Sequence, residues 1–345
     1  MSEKNSFATF ETSSGAKIYR IPLEAFPNFW AYAYVVFQND IQILIDCGSG
    51  TESSHNDLLN GLKQAGLKPS DLTHILLTHA HIDHYGGLSK LKPLTNAQIG
   101  CHELDAQTVA HHESRLALTS RRLASFLTDS GLAKDEADSL LGIYRFTKAL
   151  YQSVPVDFVY NDYIPMFDVI HLPGHCPGHV AIRLDDVIFC GDMVVEGVTP
   201  HLAPETIYPY GGLDHYLESL QRFQNWANGA RLILNGHDEA ITNLPAQIES
   251  THQNIIRRMS KAIEVLTEPR TVAEVCNIVY ENPGGYNLLL TIEKTGAYIE
   301  YLYERAMIEI TNPDEVESGE PIRYRRLREI ADDEILPKQK HSVVE

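Results

Sequence analysis

The sequence predicts an α/β protein: a sheet sandwich whose strand ends meet along one edge, with a smaller, mainly helical unit behind it. Five apolar runs, each short enough for a buried strand, end in His or Asp close to Gly. They are residues 41–45 before Asp46, 75–77 before His79, 168–172 before His175, 187–190 before Asp192 and 232–235 before His237. Strand ends gathered at one edge deliver such side chains to one place, and glycines let the backbone turn there. The second observation is denser: His79-Ala80-His81-Ile82-Asp83-His84 puts four metal-capable side chains in six residues. Such a run is a poor way to build a core and a good way to hold a divalent metal. Imidazole suits zinc, iron and other borderline metals, and the added carboxylate suits a hydrolytic site rather than a thiolate-rich structural one.

Along the chain, residues 17–46 read as hairpin-forming strands, strongest at Trp30-Ala31-Tyr32-Ala33-Tyr34-Val35-Val36. Residues 55–65 read as a helix ending at Gly66, and 103–152 keep helical spacing through Leu116, Leu123, Leu127 and Leu132. His111 and His112 fall in that polar stretch and read as solvated, while His171 and His179 read as structural. A long loop at 197–212 carries Tyr208 and Tyr210, aromatics able to hold an acyl chain or ring, or to serve in packing. Beyond it come a helix over 247–266, a second opened by the capping box Thr271-Val272-Ala273-Glu274, a break at Asn282-Pro283-Gly284-Gly285 and a third helix over 288–307. Arg257, Arg258 and Lys261 can share one helix face and grip a phosphate of coenzyme A, phosphopantetheine or RNA; a solvated basic face is the plainer reading. The expected units are 1–245 with a helical insertion at about 103–152, 246–311, and a charged tail at 312–345. In the tail Arg323, Arg325, Arg326 and Arg328 face several acids, which fits partial disorder or packing on a partner subunit, as in a homodimer.

Composition narrows the function. In 345 residues, 28 Lys and Arg stand against 46 Asp and Glu, a net charge of −18 that repels nucleic acid and anionic membrane. The five cysteines are widely spaced, odd in number and without a C-x-x-C pair, which fits a reduced cytoplasm. Cys47, Cys176 and Cys190, each beside a motif residue, read as small buried packing residues. Residues 1–17 are polar and unlike a secretory signal, and no run approaches the ~20 apolar residues of a membrane helix. A cytoplasmic, membrane-free protein is expected.

The pattern His-x-His-x-Asp-His, followed at a distance by His, Asp and His in that order, resembles the metallo-β-lactamase-fold hydrolases over roughly residues 17–240. These include glyoxalase II, lactonases, RNase Z-like nucleases and acyl-carrier thioesterases. The resemblance implies an αββα sandwich, and residues 246–311 are loosely similar to the winged-helix-type tail of some members. It implies that His79, His81 and His175 bind a first metal, that Asp83, His84 and His237 bind a second, and that Asp192 bridges them. Asp46 would support the ligand loop, and the insertion would form a lid over the site, the plainer alternative being an ordinary outer helical layer. Zinc is the expected metal, with iron and manganese accepted by the same ligands. Two divalent cations carry four positive charges, of which Asp83, Asp192 and a bridging hydroxide offset three. The remaining charge favours an anionic transition state, with shared water brought to a pKa of about 7. Protonation of the leaving group falls to metal-bound water or to Asp83.

A thioester or other acyl substrate, free or carried on coenzyme A or acyl carrier protein, is the first expectation. Lactones follow, although Met193-Val194-Val195 lacks the tyrosine that many lactonases carry there. RNA cleavage is the reading from another substrate class, disfavoured by the charge, and β-lactam cleavage is disfavoured without an export signal. The alternative of a different kind is a metal-containing ligand-binding regulator with little turnover.

Overall fold

A computed structural model describes residues 6–38, 40–160 and 166–336. Among these residues the first sheet holds β1 (Ala8–Glu11), β2 (Lys17–Phe26), β3 (Phe29–Gln38), β4 (Ile41–Ile45), β5 (His74–Leu76), β6 (Gln98–Cys101) and β7 (Phe158–Val159), paired in chain order. β1 to β4 form an antiparallel meander, whereas β4 to β7 run parallel. The parallel strands therefore need crossovers, and these are the helical segments that follow β4, β5 and β6. They are α1 (Glu52–Gln64), then α2 (Ile82–Tyr85) and α3 (Leu88–Leu91), then the insertion α4 (Glu103–Ala110), α5 (His112–Asp129) and α6 (Lys134–Lys148).

The second sheet has the order β11 (Leu232–Leu234), β10 (Val187–Phe189), β9 (Val180–Leu184), β8 (Asp168–His171), with α7 (Leu213–Trp226) on the path from β10 to β11. Strand alternation sorts the core. Ile43, Ile45, Tyr32, Tyr34 and Val36 face Val187, Phe189, Leu232 and Leu234 between the sheets. The intervening Leu44, Ala33 and Val35 pack instead with Leu58 and Leu62 of α1. Ile188 and Ile233 turn the other way, into a cluster shared with the C-terminal helices. Strands buried on both faces explain why these runs are apolar throughout rather than alternating.

That C-terminal part comprises α8 (Leu244–Val265), α9 (Val272–Val279) and α10 (Tyr286–Glu304), then β12 (Ile308–Ile310), α11 (Pro313–Glu317), β13 (Tyr324–Arg326) and α12 (Asp332–Ile335). The capping box is present: Thr271 Oγ1 accepts from Glu274 N at 3.3 Å, and Glu274 Oε2 accepts from Thr271 N at 2.8 Å. The expected boundary near residue 245 falls inside the first turn of α8. A single apolar cluster then runs from Ile188 and Ile233 through Leu220 to Ile255, Val275 and Ile292, and takes in Leu123, Leu127 and Leu140 of the insertion.

The charged segment from residue 312 to 336 is folded on its own chain. β13 pairs with β12, Arg325 bonds Glu309 at 2.7 Å, and the Tyr301 hydroxyl donates to Ile335 O at 3.0 Å. Charges that fitted partial disorder or packing on a partner subunit serve as local ion pairs within the chain; the expectation for residues 337–345 lies outside the described residues. Among the described residues no helix is long and apolar enough to cross a membrane.

Candidate metal centre

Each of the five strand ends delivers its polar residue to the same edge of the sandwich. His79, His81, His175 and Asp192 offer ligand atoms within 4.8 Å of one another, and so do Asp83, His84 and His237. Asp192 lies between the two groups. Its Oδ2 is 3.4 Å from His175 Nε2 and 3.1 Å from His237 Nε2, and its Oδ1 is 3.3 Å from His84 Nε2. Asp83 Oδ2 stands 3.5 Å from His237 Nε2 and 3.7 Å from His84 Nε2. A carboxylate whose Oδ2 faces both imidazole sets, with Oδ1 toward His84, is suited to stand between two cations.

The imidazoles are held by their far nitrogens. His84 Nδ1 donates to Asp46 at 2.8 Å, His175 Nδ1 to His201 O at 2.7 Å and His237 Nδ1 to Trp30 O at 2.7 Å. Such contacts fix the tautomer and leave Nε2 free as a ligand. Asp46 also accepts from Thr78 N at 2.8 Å and from Thr78 Oγ1 at 2.7 Å, which ties the end of β4 to the ligand loop. It does so from the left-handed backbone region, with φ 57°.

Charge in the site follows from this crowding. Burial, reinforced by the neighbouring imidazoles, pushes His79 and His81 well below the usual histidine range, so both are neutral. Burial alone would raise the Asp192 carboxyl, but His237 and His84 outweigh it and hold it well below the usual carboxylate range. Burial opposes the charge on His237 too, yet facing Asp192 lifts its pKa to about 9. Buried His84 Nε2 and Asp192 Oδ1, 3.3 Å apart, have no hydrogen-bond partner among the described residues. The neutral His79 and His81, a fixed carboxylate and buried atoms without partners suit divalent cations, and a cation there would displace the protons that Asp192 draws onto His84 and His237.

Three residues of the site had no signal as such in the sequence. Asp105, 1% exposed, accepts from Ala80 N at 2.8 Å and from Gly178 N at 2.9 Å, joining the loop of His79 and His81 to the loop of His175. Burial pushes its carboxyl up to about 6 against those hydrogen bonds. In the sequence it is one more acid in a first helical turn. His179 is structural, as expected, and it steadies Asp192: its Nε2 accepts from Asp192 N at 3.1 Å. His112 corrects the expectation of a solvated residue. It is buried, 2.6 Å from the Tyr85 hydroxyl, and donates from Nε2 to Lys148 O at 2.7 Å.

The five cysteines are free and buried, Cys176 against Asp105 at 3.4 Å and Cys47 against His84 O at 3.3 Å. Of the expected substrate contacts, Tyr208 joins the insertion, its hydroxyl 3.1 Å from that of Tyr144. Tyr210 stands apart from that wall, nearly half exposed, with its ring 6.0 Å from His215. The basic helix face also has another use. Arg258 and Lys261 both donate to Val279 O, at 2.9 and 3.3 Å, and Arg257 bonds Asn254 at 2.8 Å. The partial negative charge at the end of α9 accounts for two of the three cations.

Gly236 shows how tightly the centre is built. A Cβ there would lie 2.4 Å from Asp192 Oδ1 and 2.7 Å from His84 Cε1. Gly236→Ala is expected to displace both side chains and to lower kcat/KM about a hundredfold, the usual effect of misplacing reacting groups by about an ångström. Wild-type metal content together with wild-type rate in this variant would show that the centre has slack.

A family model described as the metallo-beta-lactamase superfamily matches residues 31–149 and 165–237. The chain belongs to the metallo-beta-lactamase superfamily. It is 24% identical over 279 residues to the probable metallo-hydrolase YqjP of Bacillus subtilis strain 168, covering 77% of this chain and 85% of that one. It is 25% identical over 178 residues to the hydroxyacylglutathione hydrolase GloC of Haemophilus influenzae, covering 50% and 71%. Among solved structures it resembles a superfamily protein of Thermus thermophilus, with TM-score 0.72, 24% identity, and 90% and 98% of the two chains covered. A beta-lactamase domain protein of Burkholderia ambifaria gives TM-score 0.73 at 20% identity, over 92% and 94%. These superfamily structures share the fold over nine tenths of the chain, which is more than the matched sandwich alone.

Proposed function

We propose that the protein is a dinuclear metal-dependent hydrolase of acyl thioesters. The observation that carries this reading is the placement of Asp192 between two imidazole sets, its carboxylate 3.4 Å from His175 of one and 3.1 Å from His237 of the other. His79, His81 and His175 would hold one cation and Asp83, His84 and His237 the other, with zinc first among the metals these donors accept. Two such cations supply a deprotonated water at neutral pH and polarise the acyl carbonyl. The protein holds the ligands rigid through Asp46, Trp30 and His201. Phe29 lies 4.9 Å from His237, and Tyr144 and Tyr208 meet beside the insertion. An acyl thioester is favoured because several relatives are named hydroxyacylglutathione hydrolases, GloC among them.

RNA cleavage is weakened by an observation of its own. Arg258 and Lys261 are engaged at the end of α9, and the net charge is −18. We read α8, α9 and α10 with the β12–β13 pair, the unit expected to be winged-helix-like, as a wall of the site rather than a nucleic-acid clamp. Glu293 of α10 reaches His201 at 2.7 Å, and His201 O holds His175.

Hydrolysis of an acyl-coenzyme A panel, followed by thiol release, tests the function, with a lactone and a short RNA under the same conditions. Thiol release is expected to vanish on chelation and to return with zinc, iron or manganese. Thiol release that survives complete metal removal would sink the reading, and RNA cleavage without thiol release would replace it.

A further inference from the structure

Lys148 ends α6, and α6 is fastened to the helix that carries Asp83 and His84. The Tyr85 hydroxyl of α2 lies 2.6 Å from His112 Nδ1, and His112 Nε2 donates to Lys148 O at 2.7 Å. Tyr151 N reaches the same carbonyl at 3.3 Å, and the Tyr151 ring would stand 2.5 Å from a Cβ placed on Gly86. Two independent contacts thus hold the end of α6, and with it Lys148, against the helix that carries Asp83 and His84. Its ammonium lies 5.7 Å over the Tyr144 ring, and among the described residues no carboxylate is within ion-pair distance of it. Apart from burial, the charges that act on it most are those of Asp83 and then of the buried Glu293. His81 in turn feels its positive charge.

A half-buried ammonium with no carboxylate beside it is satisfied best by an anion. The neighbouring metal centre would already be positive once two divalent cations were offset by Asp83, Asp192 and one hydroxide. A neutral substrate would leave that charge unanswered.

We propose that Lys148 binds an anionic group of the substrate, a carboxylate or a phosphate, and so sets a preference for charged acyl thioesters. This rests on the acyl-thioester reading above. The geometry of α6 fixes where the cation stands, and the substrate half that carries the anion is read from two matched comparisons. Succinyl- against butyryl-N-acetylcysteamine places a carboxylate on the acyl side. Butyryl-phosphopantetheine against butyryl-N-acetylcysteamine places a phosphate on the thiol side.

The metal-loaded wild-type protein is expected to prefer the charged member of at least one pair. Lys148→Met lowers that charged-to-neutral ratio of kcat/KM roughly tenfold to a hundredfold, through KM rather than kcat, the usual effect of losing a charge-assisted hydrogen bond. Lys148→Arg keeps the preference, and Lys148→Gln repeats the test should the methionine variant fold poorly. A wild type indifferent to charge in both pairs, or variants that lose charged and neutral substrates equally, would overturn the proposal. If no thioester is hydrolysed, calorimetry with succinate and with inorganic phosphate decides it separately. Weaker binding by Lys148→Met than by wild type upholds the anion site although the thioesterase reading has failed; equal binding overturns both.

Discussion

Asp192→Asn is expected to lower kcat/KM by about a thousandfold or more and to reduce metal content below two per chain. Losing an outer partner of a metal ligand costs roughly 10- to 100-fold, and loss of a bridging ligand costs more. Asparagine keeps the shape and one oxygen but no negative charge, so the position 3.4 Å from His175 and 3.1 Å from His237 is left with a neutral amide in place of a charged carboxylate. The measurement is metal analysis alongside thiol release. A variant that binds two metals and turns over normally would end the case for Asp192 as the bridge.

The metal-free protein offers a pH test of the same carboxylate. The depressed Asp192 pKa contributes stability above its unfolded value near 4, lost as pH falls through the lower folded value. The raised His237 contributes stability fully present below about 6.5. That contribution is lost as pH rises through about 9. The metal-free wild type should therefore out-melt Asp192→Asn most between about pH 4 and 6.5 and converge with it above pH 9. A gap that does not change across this range would show that the pairing contributes nothing.

Asp105→Ala is expected to have the largest effect on the fold near the centre. The carboxylate accepts from two buried backbone N–H groups, at Ala80 and Gly178, and each left unmet costs about 1–3 kcal/mol. The variant should lose about 2–6 kcal/mol on unfolding and much of its metal affinity, because the two loops it joins carry His79, His81 and His175. Asp105→Asn should fall between, since its single oxygen can satisfy only one loop. Denaturant unfolding with and without metal separates the two effects. Wild-type stability in Asp105→Ala would show that the loops are held by other contacts.

The strands and the seven clustered side chains were legible because both are written in adjacent residues. The apolar runs before Asp46, His79, His175, Asp192 and His237 are local, and so is the Thr271–Glu274 capping box. What stayed hidden are contacts between distant segments. His112 sits in a polar stretch, and nothing in its surroundings says that it reaches Tyr85 and Lys148 at once. Arg258 and Lys261 share a helix face, as their spacing implies, but spacing does not show that the last carbonyls of α9 lie against it. His201 and Glu293 meet at 2.7 Å across more than ninety residues, and neither has a motif.

The order in which the polar strand ends leave the ribosome sets when a metal can be kept. His79, His81, Asp83 and His84 emerge together and can catch an ion while the chain is still growing, yet Asp192 and His237 belong to strands made much later. An early ion would be held loosely and exchanged freely, since a preformed site rarely exists before folding. Which metal the finished protein retains is then set when β10 and β11 close onto the first sheet, so the cellular metal pool at that moment, as much as ligand chemistry, would determine the form that is isolated.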